Sequence, residues 1–240
     1  YDTPSSKEIN LDLKKALKLS ESFAVSYEHN LSKLSADEML ACVNAQEEIS
    51  LLMGRLISFA ALRYYQKTND TSRTKFLTDI QDKITNCSSH MIFFSLEFNT
   101  LDEEHLEKLL NSNRELNRYK VVFDRMRALK PYQLSDELEK FLHDQSVVGA
   151  AAWNRLFDET VTNLKFNIDN KILSLEETLN KFTDINREER KKAAESLSKV
   201  LENNITLFTR ITNTLTKEKG IEDKWRNFPN PQFSRHLSND

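Results

Sequence analysis

Apolar residues recur at three- and four-residue steps along most of this 240-residue chain. Ile9, Leu13, Leu17, Ala24, Tyr27, Leu31 and Leu34 follow this rhythm, which predicts an amphipathic helix. Ser5 and Glu8 have capping-box spacing at its start. A second box, Ser35 with Glu38, predicts a long helix to about Lys67 that buries Ile49, Leu52, Leu56 and Phe59 on one face. Phe76, Ile80, Ile84, Cys87, Met91, Phe94 and Phe98 then form an unbroken stripe, which predicts one continuous helix.

Thr100 and Glu103 open a short helix in this reading. Leu116, Tyr119, Phe123, Met126 and Leu129 define another, stopped by Lys130-Pro131. Ser135 caps a segment reaching Asp144, and Ser146 caps one running through Trp153, Leu156 and Phe157 to Asn163. The period then changes to two. Leu164–Ile168 alternates, Asp169-Asn170 can turn, and Lys171-Ile172-Leu173 returns as a small β-hairpin near 164–173. Ser174 and Glu177 cap a short helix. Asn186 and Glu189 open a long one with Ala193, Leu197, Val200, Leu201, Phe208, Ile211 and Leu215 inward, interrupted or ended at Gly220. The expectation is a mainly α fold of seven to nine long antiparallel helices, with that hairpin as its seam.

Composition narrows the function classes. Average usage near 7% would give roughly 17 glycines in a chain of this length. Only Gly54, Gly149 and Gly220 are present, too far apart for a dinucleotide fingerprint or a P-loop. Gly54 is expected to serve close helix packing. A formal net charge of −3 gives no global case for nucleic acid or anionic lipid. Ile49–Tyr65 is apolar but holds Arg55 and two serines, so it reads as a buried helix and not a membrane span. Cys42 and Cys87 are too few and too distant for a disulfide scaffold, which favours free thiols in a reducing, cytoplasmic setting. The chain begins at Tyr1 without methionine, so it is expected to be an excerpt.

The search for chemistry is mostly negative. His29, His90, His105, His143 and His236 include no pair at three- or four-residue spacing, so H-E-x-x-H is absent. Glu103-Glu104-His105 and Glu107 fit a helix first turn, where acids complement the dipole, better than a metal site. Cys87 falls on an apolar stripe, where burial raises a thiol pKa and makes it inert. Arg63-Tyr64-Tyr65 and Arg118-Tyr119-Lys120 resemble base-stacking clusters, yet on helices such runs mark the edge of a buried face. No catalytic or metal-binding residue is assigned, and no substrate-binding residue can be named.

The order of segments in the second half adds a resemblance. Ser146-Val-Val-Gly-Ala-Ala-Ala-Trp153-Asn-Arg155-Leu-Phe157-Asp-Glu followed by the Leu164–Ile168 strand is similar to the N-terminal region of oligoendopeptidase F. So are Asn186-Arg-Glu-Glu-Arg-Lys-Lys-Ala-Ala-Glu and Asn213–Trp225 leading to Ser234-Arg235-His236-Leu237. The resemblance implies one half of a helical ellipsoid split by a channel, in a zinc metallopeptidase that cleaves oligopeptides. It implies a helical bundle over 1–130 and a helical segment with the hairpin over 131–240, leading toward a catalytic domain beyond this sequence. Zinc, held there by H-E-x-x-H and a downstream glutamate, maps to no residue of this chain, which is expected to be inactive alone. The implied partners are oligopeptide substrates and the chain's own C-terminal catalytic half, with neither nucleic acid nor membrane. Arg235 and His236 are expected to form a local hydrogen-bonded anchor. A stand-alone helical interaction module and an inactive truncated peptidase stay open as alternatives.

Overall fold

Helix α1 (Lys7–Tyr27) buries Ile9, Leu13, Ala16, Ser20 and Phe23 in the computed structural model of the chain, which describes residues 1–239. Its N-cap is Ser6, so the Ser5–Glu8 box does not form. The reason is local competition: Ser6 Oγ accepts from Thr3 N–H at 3.1 Å, and the Thr3 hydroxyl contacts both serines. Helix α2 (Ala36–Tyr65) carries its predicted box in full. Glu38 N–H donates to Ser35 Oγ at 3.3 Å and Ser35 N–H to Glu38 Oε2 at 2.8 Å. Helix α3 (Thr71–Ser89) starts on Asp70, whose carboxylate accepts from Ser72 and Arg73 N–H. Short connections over 28–35 and 66–70 return each helix against the last, and the three pack on one another.

The stripe from Phe76 to Phe98 does not lie on one helix. Ser88 and Ser89 donate their hydroxyls to the Ile84 and Thr85 carbonyls at 2.9 Å, and His90 N–H turns to Cys87 C=O. Such local bonding competes with helix continuation. The chain resumes as α4 (Phe93–Thr100), which buries Phe93, Phe94, Leu96, Phe98 and Asn99. Period counting carries a stripe across such a turn unnoticed.

Helix α5 (Glu103–Ser112) starts on Asp102 and not Thr100, because Thr100 closes α4 by donating to Glu97 C=O at 2.7 Å. Helices α6 (Arg114–Asn117) and α7 (Lys120–Ala128) divide the next stripe and bury Leu116 and Phe123. The Phe123 ring lies 4.5 Å from that of Phe98. Helix α8 (Asp136–Gln145) follows Ser135. Helix α9 (Ala150–Asn163) starts on Gly149, since Ser146 bonds back to His143 C=O at 2.7 Å instead of capping forward.

The hairpin forms as expected. Strands β1 (Phe166–Ile168) and β2 (Lys171–Leu173) pair antiparallel, Phe166 opposite Leu173 and Ile168 opposite Lys171. Asp169 (φ 50°) and Asn170 (φ 64°) take the left-handed values of a type I′ turn, which Asp and Asn tolerate. Ser174 and Glu177 form the predicted box on α10 (Leu175–Asn180). The last predicted long helix is two: α11 (Arg187–Asn203) and α12 (Ile205–Arg226) meet at Asn204, whose side-chain amide donates to Val200 C=O at 2.9 Å. Gly220 does not end α12, which runs to Asn227 (φ 57°), where Phe228 N–H closes on Asp223 C=O. Helix α13 (Phe233–Asn239) completes the described chain.

The core is unevenly distributed. Among the described residues, every buried apolar side chain except Leu164, Phe166, Ile168, Ala193 and Ile211 precedes residue 131. One cluster joins Phe23, Met39, Phe94, Phe98 and Phe123, and a second joins Ile9, Leu56, Tyr64 and Ile80. Helices α8 and α9 bury no residue fully, and α12 buries only Ile211. Gly54, expected at a close helix contact, has open space where a β-carbon would stand.

Candidate functional site

The first turn of α8 holds Asp136, Glu137 and Glu139, placed where negative charge complements the helix dipole. One of the three also faces inward. Glu139 accepts Leu134 N–H at 2.8 Å and meets Arg226, from the last turn of α12, through Nη1–Oε1 at 2.6 Å and Nη2–Oε2 at 2.9 Å. Burial alone would raise the Glu139 pKa, but Arg226 and the Leu134 amide outweigh it and hold the carboxyl below its usual range. Arg226 is raised by the same pairing and also bonds Glu222 and the Tyr132 carbonyl. Tyr132, Phe228 and Phe233 pack beside it with ring centroids 4.9–5.7 Å apart.

A second polar contact joins α12 to the start of α9. Glu218 of α12 accepts Ala150 N–H at 3.0 Å, so a side chain from a distant helix supplies the cap that α9 lacks locally. Gly149 makes room for it: a β-carbon there would stand 2.5 Å from Glu218 Oε1. Arg155 of α9 reaches the Val147 carbonyl and Gln81 of α3, tying this segment to the first helices.

Between these two fixed points lies a groove of about 690 Å³, lined by Leu138, Phe141 and Leu142 of α8 and by Ile221 and Trp225 of α12. Phe141 and Trp225 are each 60% exposed. The face continues along α12 through Ile205, Thr209, Arg210, Asn213 and Lys217. The surface is amphipathic, with apolar side chains beside the carboxylates of Glu139, Glu218 and Glu222.

The residues weighed in the sequence do not converge. His105 and His143 keep a buried ring nitrogen without a hydrogen-bond partner among the described residues, on separate helices. Glu103 is engaged by Arg127 at 2.7 Å, while Glu104 and Glu107 are exposed. No group of three His, Cys, Asp or Glu among the described residues could hold a metal ion, so the residues present do not fit zinc. Cys42 and Cys87 are free and buried; burial pushes the Cys42 thiol up to about 12 and raises Cys87 too. Tyr64 sits in the core and Tyr119 donates to Glu47 at 2.8 Å, so neither forms a stacking platform. Arg235 and His236 are exposed, and the local anchor is their neighbour Ser234, which receives Lys219 Nζ at 3.0 Å. Glu139, Glu218 and Arg226 were not singled out by their sequence context, since nothing local distinguishes them from other charges on a helix. No helix of the described residues is long and apolar enough to cross a membrane.

Comparison with known proteins bears on this architecture. Residues 97–166 match the family model described as Oligopeptidase F. That span includes the Ser146–Phe166 segment and leaves the 186–195 and 213–237 segments outside. Oligopeptidase PepF of Bacillus subtilis is 25% identical over 206 residues, covering 79% of this chain and 30% of that protein. The crystal structure of oligoendopeptidase-F from Enterococcus faecium superposes with a TM-score of 0.84 at 20% identity, over 97% of this chain and 46% of that one. A solved structure from Chlamydophila abortus matches with a TM-score of 0.58 at 16% identity, over 95% of this chain and 40% of that one. The chain thus spans less than half the length of the relatives it matches. It is similar in sequence to the Oligopeptidase F model over residues 97–166, and it shares the fold of a 46% portion of the Enterococcus faecium oligoendopeptidase-F.

Proposed function

We propose that this chain is the N-terminal helical part of a zinc-dependent oligoendopeptidase that hydrolyses short peptides, acting together with a C-terminal catalytic half. The observation that carries the reading is the superposition at TM-score 0.84 over 97% of this chain and 46% of the Enterococcus faecium oligoendopeptidase-F. In this reading, residues 1–130 are a helical bundle forming one rigid channel wall, and 131–240 lead into the catalytic half. The dense core before residue 131 supports that division. Zinc is assigned to the catalytic half in this proposal. Cytoplasmic location is part of the proposal, supported by the two free, buried thiols.

A peptidase restricted to oligopeptides must exclude folded chains by shape, and a wall of capped helices around a closed core serves that end. The test compares this chain with the complete protein on internally quenched peptides of graded length, with and without a chelator. Expected is chelator-sensitive cleavage of short peptides by the complete protein and none by the 240-residue chain. A complete protein that cleaves nothing, or whose coding sequence has no H-E-x-x-H beyond Asp240, overturns the reading.

A further inference from the structure

We propose that the open face of α12, with the groove it forms beside α8, is the seat of the catalytic half, and that the occupant presents apolar residues flanked by carboxylates. This rests on the function proposed above and specifies which surface makes the joint. The first argument is the missing core. Fully buried apolar side chains are dense before residue 131, and beyond it Phe141, Ile205, Ile221 and Trp225 are 49–60% exposed and line adjoining grooves along α8 and α12. Exposed apolar side chains that line up on one face mark a contact surface. This chain covers 46% of the Enterococcus faecium oligoendopeptidase-F, so more than half of that molecule has no counterpart among residues 1–240.

The second argument is charge. Lys219 is matched by Asp223, and Arg226 by Glu139 and Glu222. Arg210, Lys217 and Lys224, which line the open face, make no ion pair among the described residues. An occupant bearing carboxylates satisfies these three cations. A second copy of the chain is a poorer match, because the carboxylates of this face, Glu218 and Glu222, are already engaged by the Ala150 amide and by Arg226.

Hydroxyl-radical footprinting read by mass spectrometry tests the surface on this chain and on the complete protein, with both held monomeric by dilution. Labelling of Trp225 and Phe141 is expected to fall several-fold in the complete protein, as for rings passing from 60% exposed to buried. Leu11 and Val25, on α1, serve as internal controls and should label equally in both. Equal labelling of Trp225 and Phe141 in the two proteins overturns the proposal, as does protection that appears only in a dimer. Zero-length carbodiimide cross-linking of the complete protein tests the charge argument. Links from Lys217 or Lys224 to carboxylates outside residues 1–240 are expected, and links confined within 1–240 overturn it. Peptide hydrolysis measured on the same preparation keeps the two readings apart, because protection without hydrolysis removes the proposed function and leaves the joint standing.

Discussion

Arg226 and Glu139 meet through two parallel hydrogen bonds although 87 residues separate them in sequence. Their side chains are only 16% and 13% exposed, and the pair joins the last turn of α12 to the first turn of α8. Planar, bidentate geometry of this kind is among the stronger forms of ion pairing. It ties together two helices that share no fully buried core.

Replacing Arg226 with Ala leaves Glu139 largely buried and without its partner. The expected loss is roughly 2–3 kcal/mol, below the 3–5 kcal/mol seen for fully buried pairs because some solvent reaches both groups. Urea denaturation of the 240-residue chain measures it. The double variant with both residues changed to Met should recover part of the loss, and an unchanged midpoint for Arg226→Ala would contradict the account.

The pair also predicts a pH dependence. Glu139 is held below its usual value in the folded state, so its contribution is present above the unfolded pKa near 4.3 and is lost as the pH falls through the folded value. Glu139→Gln removes that titration. Stability between pH 6 and pH 3 should therefore fall less steeply in the variant than in the parent chain. Parallel curves in a denaturant titration at each pH would show that Glu139 is not the linked group.

Much of the fold was legible because its signals are local. The Ser35–Glu38 and Ser174–Glu177 boxes and the Asp169-Asn170 turn each join residues within a few positions, and all three form. The failures have a common physical origin in hydroxyl and amide side chains that bond backward. Ser88 and Ser89 end α3, Ser146 turns back to His143, and Asn204 divides the last long helix. Hydrophobic period passes over such breaks because the apolar stripe resumes on the next element. The groove was less legible still. Glu139, Glu218 and Arg226 act across 68 to 87 residues, and their meeting depends on helix packing that one sequence does not display.

Gly149 and Glu218 form a second long-range unit with its own test. Gly149→Ala forces the Glu218 carboxylate away from the Ala150 amide, and Glu218→Ala removes the carboxylate directly. Each should cost about 1 kcal/mol, the usual effect of losing a helix N-cap. Because both delete the same contact, the double variant should cost little more than either single one. Additive losses by thermal or urea unfolding would mean that the two residues act independently.

Gly220 provides the sharpest contrast between a sequence expectation and the structure. As a bend or stop it would need glycine's freedom, and any side chain would be destabilising. Instead it lies within α12, exposed, with nothing within 4 Å of the position a β-carbon would take. Alanine in a helix interior is favoured over glycine by roughly 0.5–1 kcal/mol, because the unfolded glycine has more backbone freedom to lose. Gly220→Ala should therefore raise the urea midpoint and the helical circular-dichroism signal of this chain. Gly54→Ala should do the same within α2, where the space is also open. A lower midpoint for Gly220→Ala would mean that this position does need glycine's backbone freedom.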